Sequence, residues 1–371
     1  MKVSNYKPDS EQIVDFHLHS NASLDGAKTV KRLVKEEADR DVSMIAVTDH
    51  NTLKGVNGFL DKFGTERQRV MERVSERLIL FPGVEITAKI KDIPNVKGNP
   101  VKVHLMVYGV DRSDNSPISR VLRVKRKNDE NVDLGFLYQL QKFFKFNIPQ
   151  QDVIDFIKHM KKTDAGFQSF GKTETFDFVK FSKYDLTKTD QELFDIIDNF
   201  HITERLNLEV EDVINLVHAS GGIVTLAHPY ANLKRTARSA DVIKYLIAHE
   251  IDGFELYYPL NTTACDVFMR NACQENGVQI ITGGSDYHHG KYNQSMGSHF
   301  IPYQKITVDK VSAFIDYMVD LEYKRQKGSL IVKDYENLKD FDIEKTIKKY
   351  EREFCIIEDL KLKNFNSDDL I

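Results

Sequence analysis

The sequence predicts an α/β fold in which short strands alternate with helices around a largely parallel sheet. Two observations support this prediction. Short apolar runs rich in β-branched residues recur along the chain, and amphipathic patterns with helical periodicity separate most of them. The predicted strands are 13–16, 44–48, 78–84, 102–108, 222–227, 253–256 and 278–282.

The helices expected between these strands have apolar residues three and four positions apart, which places them on one face. Their apolar faces are formed by Val30-Leu33-Val34-Ala38, Val213-Leu216-Val217, Val242-Tyr245-Leu246 and Cys265-Phe268-Met269-Ala272. Gly221 and Gly222 follow the second of these groups and are typical of a helix end.

The alternation of strands and helices stops after residue 110 and resumes near residue 206. The intervening segment is charged, rich in Phe and Lys, and has helical patterns at 136–146 and 152–160. Two more helical patterns, 308–322 and 343–358, precede a polar tail. We therefore expect a discontinuous barrel-like domain (12–110 and 206–302), a mainly helical insertion that caps the substrate (111–205), and C-terminal helices with a polar tail (303–371).

The composition excludes several classes of protein. A formal net charge of −4 over 371 residues provides no global positive field for a long nucleic acid. Three cysteines are too few for a disulfide framework, and no stretch reaches the roughly 20 apolar residues of a membrane span. We expect a soluble cytoplasmic protein. The basic run Arg120, Arg123 and 125–127 is interpreted as a solvated helix face or loop, with a local basic patch for a ligand as the alternative.

Histidine and carboxylate side chains follow or occupy six of the predicted strands. In chain order they are His17, His19 and Asp25; His50; Glu85; His104; His228; and Asp286 with His288. The carboxyl ends of strands in a β/α barrel meet at one rim, where active sites lie. Residues that are far apart in the sequence are thus expected to form one cluster.

The residue types in this cluster indicate a metal site. His17 and His19 point to the same side of an extended segment, as do Asp286 and His288, because side chains alternate along a strand. Imidazole and carboxylate ligands without thiolates suit Zn, Mn or Fe, and this many ligands indicates about two to three divalent ions. Alone, His104 would be interpreted as a core residue and Glu85 as a turn carboxylate. The remaining histidines, interpreted as structural, are His159, His201, His218, His249 and His299.

At these residues the sequence resembles the PHP (polymerase and histidinol phosphatase) superfamily. The matching stretches, in order, are DFHLHSNASLDG (15–26), IAVTDHNTLKG (45–55), PGVEIT (82–87), VHLMVYG (103–109), GGIVTLAHPY (221–230), DGFELYYP (252–259) and TGGSDYHHG (282–290). The resemblance implies a distorted (β/α)7 barrel that binds three metal ions, usually Mn, Fe or Zn.

The resemblance also implies which residues hold each ion. His17, His19, Glu85 and Asp286 would hold the first, and Glu85 would bridge to a second that His104 and His228 complete. Asp25, His50 and His288 would hold the third. Asp25 followed by Gly26, where some families place a histidine, resembles the nucleotide-phosphatase and 5′→3′ exonuclease branch.

The implied activity is hydrolysis of phosphate esters of nucleotides or short oligonucleotides by a metal-activated water. His50, Asp286 and His288 are candidates for catalytic proton transfer. The candidate substrate-binding residues are Lys234, Arg235 and Arg238, whose alternative interpretation is an exposed helix face. Tyr257 and Tyr258 would pack the rim or stack on a base.

Two other functions stay open at this point. One is a phosphatase for a small metabolite such as histidinol phosphate, which would share the metal ligands. The other is a non-catalytic PHP module that binds a partner. Such modules commonly lose ligands, whereas all of the ligand positions here carry residues that can bind a metal. The sequence does not indicate an oligomeric state.

Overall fold

The computed structural model describes residues 9–23, 25–163, 170–184, 187–200, 202, 205–288, 305–329 and 333–355. Within them nine strands form one sheet. The strands are β1 (Ile13–Leu18), β2 (Val42–Val47), β3 (Glu72–Arg73), β4 (Ile79–Pro94), β5 (Pro100–Tyr108), β6 (Leu208–Glu209), β7 (Ile223–Leu226), β8 (Gly253–Tyr257) and β9 (Ile280–Gly283). Their order is β1-β2-β4-β5-β7-β8-β9, and the short strands β3 and β6 both pair with β4. The α/β class is confirmed.

The centre of the sheet differs from the largely parallel arrangement expected. β1-β2-β4 and β7-β8-β9 are parallel, but β5 is antiparallel to both β4 and β7. β4 also continues to Pro94, so Glu85 lies within the strand and not at its end. β4 extends this far because it forms a hairpin with β5. In the turn, the Asn95 amide donates to the Asn99 carbonyl over 2.7 Å, and Gly98 has a φ of 83°.

The two ends of the sheet approach each other beside the end of β1. The His19 amide donates to the Tyr287 carbonyl over 2.9 Å, and Leu18 forms a parallel bridge with Tyr287. The Val14 amide similarly donates to the Ile306 carbonyl over 3.0 Å. The curvature of the sheet thereby brings the segment after β9 next to β1.

The helices, in order, are α1 (Val30–Ala38), α2 (Lys54–Leu60), α3 (Pro117–Phe144), α4 (Gln150–Thr163), α5 (Lys172–Ser182), α6 (Asp190–Asp198), α7 (Val210–Ala219), α8 (Pro229–Leu233), α9 (Ser239–Ala248), α10 (Thr263–Asn276), α11 (Ser312–Gln326) and α12 (Ile343–Cys355). Short 3-10 helices span Asp61–Phe63, Val308–Val311 and Glu336–Leu338. Among the described residues, no helix combines the length and the apolar character that a membrane crossing requires.

The helices distribute over three hydrophobic clusters. The largest lies between the sheet and helices α1, α2, α7, α8, α9, α10 and α12, together with the first part of α3. The second includes α11, where Phe314 packs 4.8 Å from the ring of Phe16 and 5.0 Å from that of Tyr108. The third is formed by residues of α3, α4, α5 and α6 together with Ile148 and Phe170. The segment after β5 thus has a small core of its own, and α3 is longer than the sequence pattern predicted.

Candidate metal centre

The sheet brings the nine predicted ligand residues together at one place. His17 lies on β1 and His19 directly after it, Glu85 on β4 and His104 on β5. The other five lie in segments that follow strands: Asp25, His50, His228, Asp286 and His288. His17, His19 and Glu85 are completely buried.

Glu85 is at the centre of this cluster. Its carboxylate lies within 3.3 Å of imidazole nitrogens from five histidines. Oε1 is 2.8 Å from His104 Nδ1 and 2.8 Å from His228 Nε2, and Oε2 is 3.3 Å from His17 Nε2, 3.2 Å from His19 Nε2 and 3.2 Å from His50 Nδ1. One carboxylate therefore connects residues from β1, β5 and the segments after β2 and β7.

Two aspartates complete the cluster on the side of His288. Asp25 Oδ2 is 3.2 Å from His50 Nε2 and 3.2 Å from His288 Nε2. Asp286 Oδ1 is 3.3 Å from His17 Nε2 and 3.4 Å from His19 Nε2. Both carboxylates therefore lie among imidazole nitrogens.

The donor atoms form three groups, and within each group they lie within 4.8 Å of one another. The groups are His17-Glu85-His228-Asp286, His19-Asp25-His50-His288 and His50-Glu85-His104. The grouping differs from the implied one for three residues: His228 takes the place of His19 beside His17, His19 joins Asp25, and His50 takes the place of His228 beside Glu85 and His104. Glu85 belongs to two groups, as a bridging carboxylate would.

The residues present fit divalent cations. Both carboxylate oxygens of Asp25 and Oδ1 of Asp286 are buried and accept no hydrogen bond. Such oxygens are costly to bury unless a positive charge compensates them. Imidazoles and carboxylates are also the donor set that Mn, Fe and Zn accept.

The electrostatics of the cluster favour the metal-binding forms of its carboxylates and of His104. Burial would lower the pKa values of His17, His50 and His288, but neighbouring carboxylates outweigh it and raise them, so metal binding at these three rings would release protons. Burial alone would raise the pKa of Asp25, but His288 and His50 outweigh it and hold that pKa well below the usual range. His17 and His288 likewise lower the pKa of Asp286. Burial lowers the pKa of His104 to about 4. Ionised carboxylates and a neutral imidazole are the metal-binding forms.

The backbone is unusual at two of these residues. His228 has a φ of 23° and Asp286 a φ of 54°, in the region that L-residues rarely adopt. Next to Asp286, a Cβ at Gly284 would lie 2.4 Å from the Cβ of His17. Only glycine therefore allows the segment after β9 to approach β1 this closely.

Three buried carboxylates support the predicted ligands, and the sequence analysis did not identify them. Asp15 Oδ1 accepts from the backbone amides of His17 (3.2 Å) and Ser285 (2.9 Å). Asp49 Oδ1 accepts from the Ser20 amide over 2.6 Å. Glu255 accepts from the ring of His17 over 3.0 Å. Asp15, Asp49 and Glu255 lie inside the sequence stretches DFH, TDH and ELYYP, respectively. Their place within these stretches was the sequence feature that could have identified them.

A cavity of about 350 Å³ opens beside the centre. Asp25, His50 and His104 form part of its wall, and five basic residues form another part: Lys102, Lys125, Arg126, Arg205 and Arg235. Three carboxylates also line the cavity and pair with three of these cations: Asp129 with Lys125, Glu130 with Arg126, and Asp133 with Arg205. Lys125 is only 3% exposed, so the interpretation of the basic run as a solvated face was wrong for this residue. The helix α3 is long enough to place Lys125 and Arg126 over the centre, which the sequence pattern did not show.

The predicted substrate-binding residues are placed differently from one another. Arg235 lines the cavity, whereas Lys234 and Arg238 are not part of its wall. The Lys234 ammonium lies 5.4 Å from the centre of the Tyr230 ring, and Arg238 Nε is 2.6 Å from Asp241 Oδ2. Tyr258 is buried, and its hydroxyl donates to Asp286 Oδ2 over 3.3 Å.

The histidines interpreted as structural lie away from the cluster where the structure describes them. His218 Nε2 is 2.9 Å from Asp252 Oδ2, and His249 Nδ1 is 2.8 Å from the Tyr245 carbonyl. His159 packs 4.8 Å from the ring of Phe181 on the insertion. His201 and His299 lie outside the described residues.

The comparisons with known proteins agree with this geometry. The family model described as "PHP domain" matches residues 15–296. A phosphoribosyl 1,2-cyclic phosphate 1,2-diphosphodiesterase from Eggerthella lenta is 23% identical over 300 residues, covering 76% of this chain and 96% of that protein. A PolC-type DNA polymerase III from Staphylococcus saprophyticus is 22% identical over 312 residues, and the match covers 77% of this chain but only 21% of the polymerase.

Two solved structures share the fold. A protein from Bifidobacterium adolescentis, described as a candidate metal-dependent phosphoesterase, superposes with a TM-score of 0.55 at 22% identity, covering 84% of this chain and 98% of that one. An amidohydrolase from Chromobacterium violaceum with bound sulfate has a TM-score of 0.50 at 17% identity, covering 76% and 90% of the two chains.

Proposed function

The chain belongs to the PHP domain family, and from this premise we propose that it is a metal-dependent phosphoesterase acting on nucleotides or short oligonucleotides. One observation carries the proposal: Glu85 and His50 link the three groups of metal donors, and three of the donor residues, Asp25, His50 and His104, line a cavity that basic residues also line. A phosphate ester needs both parts, a centre of positive charge at the reacting phosphorus and cationic groups for its other oxygens.

We assign the nine ligands to about two to three Mn, Fe or Zn ions, held by the three donor groups. Such ions, when bound, would neutralise the non-bridging phosphate oxygens and lower the pKa of a water molecule that attacks phosphorus. Of the three candidates for proton transfer, His50 lines the cavity, whereas Asp286 and His288 do not, so a leaving oxygen could approach His50. Proton transfer from His50 would require that one of its ring nitrogens, which lie 3.2 Å from Asp25 and 3.2 Å from Glu85, binds no metal.

The basic residues of the cavity would bind the remainder of the substrate. The cavity volume of about 350 Å³ is at the lower end of the range for small-molecule sites. One terminal nitrogen of Arg126 is buried without a hydrogen-bond partner, so a phosphate oxygen would supply one. Segment 111–205, which contributes Arg126 and Lys125 through α3, would then act as the substrate cap.

Two relatives support a phosphoester substrate that contains a pentose. One is described as hydrolysing a phosphoribosyl cyclic phosphate and the other is a DNA polymerase. The alternative enzyme is a phosphatase like histidinol phosphatase. It would require fewer basic residues in the part of the cavity that lies away from the reacting phosphate. A non-catalytic binding module would have no need of Asp25 and Asp286 as buried carboxylates among imidazole nitrogens.

A substrate panel tests the proposal. Purified protein loaded with Mn would be given mononucleotides, nucleotide bisphosphates, 5′-phosphorylated oligonucleotides, phosphoribosyl 1,2-cyclic phosphate and histidinol phosphate. We expect turnover of at least one nucleotide or oligonucleotide substrate and none with Asp286→Ala. Turnover of histidinol phosphate alone would support the alternative enzyme, and absence of turnover of every substrate would support a binding module.

A further inference from the structure

Glu255, on β8, is a completely buried carboxylate that touches two of the proposed metal ligands without being grouped with the metal donors. It lies between β1 and the segment after β7, which are distant in the sequence. Both of its oxygens accept hydrogen bonds from these ligand residues. Glu255 therefore contacts these two ligand residues through atoms other than the nitrogens that face the cluster.

The first contact fixes the ring of His17. Its Nδ1 lies 3.0 Å from Glu255 Oε1 and 3.2 Å from Oε2, while its Nε2 lies 3.3 Å from Glu85 and 3.3 Å from Asp286. A carboxylate accepts only, so Nδ1 carries the proton and donates it. The lone pair of Nε2 is then directed at the cluster, as a metal ligand requires.

The second contact fixes the backbone of His228. Its amide donates to Glu255 Oε2 over 2.6 Å, at a residue with φ of 23° and ψ of 70°. In this conformation His228 Nε2 lies 2.8 Å from Glu85 Oε1. A charge-assisted hydrogen bond of this kind offsets part of the cost of an unusual backbone conformation.

We infer that Glu255 is a positioning residue that orients His17 and His228 together and thereby determines the metal affinity of the group His17-Glu85-His228-Asp286. The inference rests on the metal centre of the proposed function. Replacing the carboxylate by an amide keeps the shape of the side chain but leaves only one acceptor oxygen for two donors. Loss of such a supporting hydrogen bond typically weakens metal binding by about 10- to 100-fold.

The test is Mn binding by Glu255→Gln, measured without substrate by competition with a chelator after metal removal. We expect the dissociation constant of at least one Mn site to rise about tenfold or more. A matched control is Asp252→Asn, because Asp252 also accepts from a histidine ring (His218 Nε2, 2.9 Å) and from a backbone amide (Val224, 2.9 Å) outside the cluster. This control should lower thermal stability and leave Mn affinity within about twofold of wild type.

The outcomes are distinct. Wild-type affinity in Glu255→Gln, or an equal loss in Asp252→Asn, would overturn the role of Glu255. If circular dichroism shows that Glu255→Gln does not fold, Glu255→Asp decides: its shortened side chain should also weaken Mn binding, and unchanged affinity would overturn the role. Absence of Mn binding by the wild-type protein would instead refute the metal centre and with it the proposed function.

Discussion

The Nε2 atoms of His17 and His19 lie 3.1 Å apart in a completely buried part of the protein. Glu85 Oε2 and Asp286 Oδ1 each lie within 3.4 Å of both nitrogens. Two ring nitrogens at this distance, both facing carboxylates, are typical of neighbouring metal ligands, and Glu85 and Asp286 connect the two donor groups to which these histidines belong.

Metal removal should destabilise the protein as well as inactivate it. A ligand that binds only the folded state adds about 2.7 kcal/mol at a free concentration of 100 times its dissociation constant. We expect chelation to lower the midpoint of thermal unfolding by several degrees, and added Mn to restore it. An unchanged midpoint in protein shown by elemental analysis to have lost metal would contradict this expectation.

Single ligand substitutions should abolish catalysis. His17→Ala and Asp286→Ala each remove a donor from the group His17-Glu85-His228-Asp286. We expect Mn-stimulated release of phosphate or nucleotide to fall to background in both. His159→Ala, which changes an exposed histidine on the insertion, should retain wild-type turnover and serves as the control.

The basic wall of the cavity should contribute to substrate affinity. Arg126→Ala removes a cation that lines the cavity, and hydrogen bonds to charged groups are worth about 1.5–3 kcal/mol. We expect kcat/KM to fall about tenfold or more, mainly through KM. Arg238→Ala is the matched control, since Arg238 pairs with Asp241 and does not line the cavity. Equal effects of the two substitutions would refute a role for the wall.

The C-terminal helix α12 should stabilise the fold through Tyr350. The hydroxyl of this buried residue donates to Asp212 Oδ2 over 2.5 Å and accepts from the Glu209 amide over 3.0 Å. Tyr350→Phe leaves both groups without this partner, at a cost of about 1–3 kcal/mol in the free energy of unfolding. Urea denaturation would measure the loss, and Tyr323→Phe, on the exposed face of α11, should show almost none.

Most of the fold could be predicted from the sequence because its signals are local. Each predicted strand coincides with an observed one within a few residues, except that β4 continues to Pro94. The direction of β5 could not be inferred from apolar runs alone, because pairing direction depends on the connection. The hairpin at 95–99 carries turn residues, Asn95 and Gly98, that would have indicated it.

The clustering of the nine predicted residues could be expected from the sequence, but the residues around them could not. Histidines and carboxylates that follow strands have a strong local pattern, whereas a supporting carboxylate such as Glu255 resembles any buried acid in the sequence. The cavity wall depends on where α3 packs, which is a tertiary property. For this reason the sequence could not distinguish Lys125 and Arg126 from residues on a solvated helix face. It also could not show that, of the three candidate substrate-binding residues, Arg235 lines the cavity whereas Lys234 and Arg238 do not.

The most direct test of the metal centre is elemental analysis of the purified protein together with its phosphoesterase activity. The donor groups predict about two to three equivalents of Mn, Fe or Zn per chain, with activity that rises and falls with metal content. Full phosphoesterase activity in protein that contains no transition metal would contradict the account.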